Sequence, residues 1–112
     1  MLNYNGKRFR IISKSLNSEL AAETIFEYKQ KGIVLQCEYS NGGVIAGHLL
    51  GTVDEKGKIS TVYHQVNEQG EIKTGSCHSI PQTLPSGKIV LHEKWQWTSG
   101  DLSCGESTLE EI

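Results

Sequence analysis

Hydrophobic and polar residues alternate along most of this chain, in short segments of the length of a β-strand. Eight such segments can be recognised, and none has a convincing apolar repeat of 3.6 residues. They are rich in isoleucine, valine, threonine and aromatic residues, which favour strands. The segments are KRFRIISKS, ETIFEYKQ, GIVLQCEYS, GVIAGHLLGTV, KISTVYHQV, GEIKTGSCHSI, KIVLHEKWQWT and LSCGESTLEEI. The one helical hint is NSELAAET, where Asn17 or Ser18 could cap a single turn.

Turn signals separate these segments and predict short hairpins. In DEKG and NEQG the glycine comes last, which suits a three-residue loop. Such loops would pair Asp54 with Lys58 and Asn67 with Glu71. Both prolines, Pro81 and Pro85, are expected in one connection, where no ladder donor is needed. The pattern predicts an all-β, single-domain antiparallel meander over residues 1–112, most simply an eight-stranded β-barrel and otherwise a two-layer β-sandwich.

Size and charge exclude several classes of protein. The chain has 112 residues and a formal net charge of -2, from 11 basic and 13 acidic residues spread along it. No basic stripe for nucleic acid and no polybasic anchor for a membrane can be found. The beginning MLNYNGKRFR is charged where a signal peptide would be apolar, which predicts a cytoplasmic protein. The protein is expected to be a monomer or a homodimer, with a small molecule as its possible partner.

The cysteines and histidines of the chain do not form a recognisable catalytic or metal-binding motif. Cys37, Cys77 and Cys104 are predicted to be buried, reduced thiols. Cys77 cannot use His78 as a base, because neighbours in a strand point to opposite faces. Counting back from the DEKG loop places His48 opposite His64, and two imidazoles alone make a poor zinc site. No metal and no cofactor are predicted, and no catalytic residues can be assigned.

The segment LHEKWQWTSGD holds both tryptophans of the chain. In a strand, Leu91, Glu93, Trp95 and Trp97 point to the same side. The two indoles either fill the core or line one end of the barrel, where they would stack on a ligand while Glu93 binds its polar group.

Tyr63 is expected across from Gly75 and near Gly47 and Gly51, either filling the space that strand glycines leave or lying at a ligand site. Which face of the middle strands points inward stays open. One face carries Val44, Ala46, Leu50 and Val62, and the other carries Ile45, Leu49, Val53 and Tyr63. The candidate ligand-binding residues are Glu93, Trp95, Trp97, Tyr63 and Cys77.

The motifs FEYKQKG, GHLLGTVDEKGKI, GSCHSIP and LHEKWQWTSGD resemble a family of small bacterial proteins that are often labelled N-acetylglutamate synthase. The resemblance covers essentially the whole chain, and the label implies an acetyltransferase that uses acetyl-CoA and glutamate. In architecture the chain is similar to the calycin-type barrels, such as the lipocalins and the fatty-acid-binding proteins. That similarity concerns the fold and transfers no ligand.

Three functions follow as hypotheses. The leading one is a non-catalytic barrel that binds a small molecule through the tryptophan and glutamate stripe. The second is the acetyltransferase implied by the label. The third is a protein-interaction module that docks a partner through an exposed strand edge or a tryptophan patch.

Overall fold

The alternating pattern folds into nine antiparallel strands. The computed structural model describes residues 2–15, 18 and 23–112. The strands are β1 (Arg8–Lys14), β2 (Ile25–Glu27), β3 (Lys29–Lys31), β4 (Val34–Asn41), β5 (Val44–Val53), β6 (Ile59–Asn67), β7 (Ile72–Thr83), β8 (Ile89–Trp97) and β9 (Cys104–Glu111). Within these ranges no helix is long and apolar enough to cross a membrane. The predicted helical turn falls largely on residues 17 and 19–22, which lie outside the described residues.

The sheet closes into a nearly complete barrel. Its strand order is β2-β1-β9-β8-β7-β6-β5-β4-β3. The first and last strands of this order, β2 and β3, are separated along the chain by Tyr28 alone, so the two edges are joined by one residue. Counting β2 and β3 as one interrupted strand gives the eight strands that the sequence predicts. The prediction of an all-β barrel is therefore confirmed.

The hairpin loops have the predicted register. Asp54 donates its backbone N–H to Lys58 over 2.9 Å, and Asn67 donates to Glu71 over 3.0 Å. Gly57 and Gly70 end these loops with φ angles of +80° and +78°, which a glycine adopts without steric cost. The register also places His48 opposite His64, as predicted.

A β-bulge settles which face of the middle strands points inward. The pairing of β5 with β6 shifts between Val44 and Ala46. Beyond the bulge, Leu49 and Val53 face the core, while Leu50 and Val62 face outward. At the bulge itself Val44 is buried and Ile45 is 60% exposed, the reverse of a simple alternation.

One end of the barrel is filled by the chain before β1. Tyr4 is fully buried, and its hydroxyl donates a 2.6 Å hydrogen bond to the carbonyl of Gly57 in the β5–β6 loop. The rings of Phe9 and Tyr28 lie 6.3 Å from the Tyr4 ring. These three rings and the aliphatic residues around them form the larger core. Tyr4 closes this end of the barrel and is called the Tyr4 plug below.

Pro81 lies inside β7, which corrects the expectation that both prolines occupy a connection. It faces Leu91 of β8 in register. On the other side of β7, the pairing with β6 ends at Ser79 and Ile59, so beyond that point β7 is an edge strand toward β6. Proline is tolerated there because no neighbour on that side requires its N–H. Pro85 does lie in the loop that joins β7 to β8.

Candidate functional site

A cavity lies inside the barrel, on the far side of the core from the Tyr4 plug. Its volume is about 80 Å³, several times the ~10–15 Å³ that one water molecule needs. Every strand except the short β3 contributes to the wall. The lining residues used below are Lys14, Tyr28, Tyr63, Cys77, Ser79, Glu93, Trp95, Trp97 and Ser107.

Glu93 is held in the wall between two serines on the neighbouring strands. Ser79 of β7 and Ser107 of β9 both face Glu93 in register. The Ser79 hydroxyl donates to Oε2 of Glu93 over 2.6 Å, and the Ser107 hydroxyl donates to Oε1 over 3.3 Å. One hydroxyl therefore holds each oxygen of the carboxylate, and this fixes the side chain at the cavity wall.

The protonation of Glu93 is controlled by its surroundings. Burial raises its pKa from 4.5 to about 7, against the two serine hydrogen bonds, which lower the pKa. Burial dominates because removing a carboxylate from water penalises the charged form more than two hydroxyl donors can offset. Glu93 therefore changes charge near neutral pH, whereas an exposed glutamate does so in the acid range.

The aromatic side of the cavity consists of Trp95, Trp97 and Tyr63. The rings of Trp95 and Trp97 meet edge to face at 5.9 Å between centroids, and those of Tyr63 and Trp97 at 5.5 Å. Trp95 is 9% exposed and Trp97 is 4% exposed. The ammonium of Lys73 lies 4.3 Å from the centre of the Trp97 ring, within cation–π range. The three aromatic rings belong to a small second hydrophobic core beside Glu93.

Glycines on the adjacent strands make room for these rings. Trp95 faces Gly105 in register, and Tyr63 faces Gly75. A Cβ atom at either glycine would collide with the facing ring. The expectation that the Tyr63 ring covers Gly75 is confirmed, whereas Gly47 is covered by the Tyr39 ring instead. The glycines thus set the positions of the aromatic wall.

Two further polar groups complete the wall. Cys77 lies between Tyr63 and Trp95, and burial raises the pKa of its thiol well above the ordinary value, helped by the nearby Glu93. The thiol therefore stays protonated, as expected for a buried structural cysteine. Tyr39 and Gln65 also line the cavity, and the Tyr39 hydroxyl donates a 2.8 Å hydrogen bond to Oε1 of the buried Gln65.

The comparison with known proteins identifies the family. A family model described as "Avidin-like protein" matches residues 2–112. The chain belongs to the avidin-like family. Among curated proteins, none matches the sequence. The calycin-type architecture expected from the sequence is confirmed by this match, because the avidin-like barrel is of that type. Neither the N-acetylglutamate synthase label nor a bacterial source receives support, and both stay predictions.

All five candidate residues line the same cavity inside the avidin-like barrel: Glu93, Trp95, Trp97, Tyr63 and Cys77. Sequence reasoning did not select Ser79 or Ser107, which carry the contacts to Glu93. The signal that could have found them is the register itself, because counting across the β7–β8 and β8–β9 hairpins places a serine on each side of Glu93. Small hydroxyl residues are common on strands, so their presence alone pointed to nothing.

The histidines lie apart from this cavity. His48 and His64 meet on the outer surface with their ring centroids 5.6 Å apart, and Nε2 of His48 lies 3.3 Å from Oε1 of Gln36. In the part of the chain that the structure describes, no three histidine, cysteine or acidic side chains are grouped as metal ligands. A larger, shallower groove of about 820 Å³ lies beside His64, Glu38 and the exposed Ile45 and Ile72.

Proposed function

We propose that this avidin-like protein binds a small organic molecule inside its barrel and performs no chemistry on it. The single observation that carries the proposal is the position of Glu93. It is a carboxylate that is held by two serines in the wall of an aromatic-lined cavity. Sites for small ligands combine apolar and aromatic walls with a few placed polar groups, and this cavity has that composition.

The titratable groups near Glu93 favour binding over catalysis. Burial raises the pKa of Tyr28, Tyr63 and Cys77 well above their ordinary values, and the charge of Glu93 adds to the effect. All three groups therefore stay protonated at neutral pH, so none supplies a second base or a thiolate nucleophile beside the carboxylate. A carboxylate with hydroxyl donors suits recognition of a donor group on a ligand.

The acetyltransferase implied by the earlier resemblance stays a prediction with its own test. It requires release of free CoA from acetyl-CoA in the presence of glutamate. If the wild type releases CoA and a Glu93→Gln variant does not, the protein is an enzyme and the binding proposal is wrong.

The docking hypothesis must move away from the tryptophans, because both indoles are buried. The outer face of β5 and β6 carries an apolar pair instead, where Leu50 is 45% exposed and Val62 is 62% exposed. A partner at this face would be lost in a Val62→Ser variant that keeps the fold. Size-exclusion chromatography of the wild type and of Val62→Ser shows whether the variant alone loses a complex.

The experiment that tests the binding proposal is a screen of a metabolite library by thermal shift and intrinsic tryptophan fluorescence. Biotin belongs in the library, because the avidin-like family binds small ligands such as biotin. A binder should raise the melting temperature and change the emission of Trp95 and Trp97. Silence across every ligand class, with a folded protein, would refute the proposal.

A further inference from the structure

We propose that the cavity selects a small organic cation, a protonated amine, whose ammonium group pairs with the carboxylate of Glu93 inside the aromatic wall. The inference rests on the proposed function, because it names the chemical class of ligand for the same cavity. Four features of the cavity support it: the charge balance, the remaining hydrogen-bond capacity, the aromatic rings and the volume.

The charge balance is the first feature. Within residues 2–15, 18 and 23–112, the ion pairs are Lys7 with Glu111 and Arg10 with Glu110, and neither includes Glu93. Lys14 is the one basic side chain among the described lining residues, and it makes no ion pair with Glu93. A buried carboxylate without an opposite charge is costly, so a cationic ligand would gain from supplying that charge.

The second feature is the capacity of Glu93 to accept more donors. An ionised carboxylate offers about four lone-pair positions. Ser79 uses one position on Oε2 and Ser107 uses one on Oε1. Because Glu93 lines the cavity, a donor with several N–H groups can reach the carboxylate from inside. An ammonium group has three N–H donors and carries the charge that the site lacks.

The aromatic rings are the third feature. The negative faces of indole and phenol rings attract cations within about 6 Å of the ring centre. Trp97 already does so with the ammonium of Lys73. Trp95, Trp97 and Tyr63 stand beside Glu93 in the cavity wall, so a cation there would be stabilised by both the carboxylate and the rings.

The volume limits the size of the ligand. The cavity of about 80 Å³ is roughly half of the ~150 Å³ that accommodates benzene in an apolar protein interior. A head group of a few heavy atoms, such as n-propylammonium, matches this space.

Binding of a cation should be coupled to ionisation of Glu93. Among the described residues, the titratable groups that feel the charge of Glu93 are Tyr28 between β2 and β3, Cys37 on β4, Tyr63 on β6 and Cys77 on β7, and Lys14 on β1 is the charged group that shares the cavity lining. Burial raises the pKa of the four uncharged groups in this set, and Glu93 is the group that ionises near pH 7. Between pH 6 and pH 8 the ionised fraction of Glu93 should increase from about 10% to about 90%. The affinity for a cation should therefore increase by nearly tenfold over the same range.

The test is a titration of the ¹⁵N-labelled full chain, followed through the indole N–H signals of Trp95 and Trp97. The probes are n-propylammonium, its neutral isostere 1-propanol and the neutral N–H donor 2-imidazolidinone. At pH 8 the ammonium should bind at least tenfold more tightly than either neutral probe. Glu93→Gln should abolish this preference, whereas Glu106→Gln, the same change on the outer face of the neighbouring strand, should preserve it.

A third variant keeps the test decisive if Glu93→Gln does not fold. Ser79→Ala leaves the carboxylate but removes its shorter hydrogen bond, which should move the pH midpoint of ammonium binding upward. Tighter binding of a neutral probe, or a cation preference that survives in Glu93→Gln, would overturn the inference while leaving the binding proposal intact. Failure of all three probes together with a silent metabolite screen would overturn both.

Discussion

Ser79 on β7 and Glu93 on β8 face each other in register, and the serine hydroxyl donates a 2.6 Å hydrogen bond to the carboxylate. The bond holds Glu93 at the wall of the cavity without supplying a positive charge. The pKa of Glu93 accordingly stays raised, at about 7, because burial outweighs the hydroxyl donors. Holding a carboxylate in this buried position costs stability, and the proposed function gives a reason for that cost, because the group would be in place to bind a ligand.

That cost should be measurable as a dependence of stability on pH. The folded protein holds the Glu93 proton more tightly than the unfolded chain, so the free energy of unfolding should fall as the pH rises from 4.5 to about 7. The full effect of this one group is about 3 kcal/mol. Denaturant unfolding of the wild type and of Glu93→Gln from pH 4 to pH 8 measures it.

The difference between these two proteins isolates Glu93 from other titrating groups. Glu93→Gln should lose the downward trend and should gain on the wild type as the pH rises. The exposed control Glu106→Gln should follow the wild type throughout. Parallel curves for the wild type and Glu93→Gln would show that Glu93 ionises as it does in the unfolded chain.

Replacing Gly105 with alanine should displace the Trp95 indole. A Cβ atom at this position collides with the outer ring atoms of Trp95, and these are its three nearest contacts. The expected loss is about 1–3 kcal/mol, the usual cost of overpacking a core. Chemical unfolding followed by fluorescence checks the loss of stability and the change in indole environment together.

A double-mutant cycle identifies the cause of that loss. Trp95→Phe removes the ring atoms that the new Cβ atom would meet, so Gly105→Ala should cost clearly less in this background than in the wild type. An equal cost in both backgrounds would attribute the loss to the backbone of β9 and not to the indole.

Alkylation distinguishes the buried thiols from the exposed one. Cys37 and Cys77 are buried, and burial raises the pKa of both thiols, that of Cys37 to about 12. Cys104 is exposed. Iodoacetamide at pH 8 should add one label to the native protein, at Cys104, and three after unfolding, which peptide mass spectrometry can count. Rapid native labelling of Cys77 would instead indicate a reactive thiol in the cavity.

Much of the fold could be predicted because its determinants are local. The glycines that close the loops at Gly57 and Gly70 fix the registers, and those registers place His48 opposite His64 and Tyr63 opposite Gly75. The stripe of Glu93 and the two tryptophans follows from the two-residue period of a strand.

The rest depends on departures from that period and on long-range closure. Because of the bulge at Val44, the alternation of buried and exposed residues in β5 changes phase. No single residue at this position predicts a bulge. The plug at Tyr4 depends on a hydrogen bond to Gly57, which is distant in sequence. The contacts of Ser79 and Ser107 with Glu93 could be identified only after three strands were aligned.

The most direct test of the central claim is to map where a ligand from the metabolite screen binds. In a ¹H–¹⁵N NMR titration, the indole signals of Trp95 and Trp97 and the amides of Glu93 and Ser107 should move together and saturate. Amides on the outer face, such as those of Leu50 and Val62, should stay in place. Saturable shifts at the outer face, with the interior signals unchanged, would contradict a binding site inside the barrel.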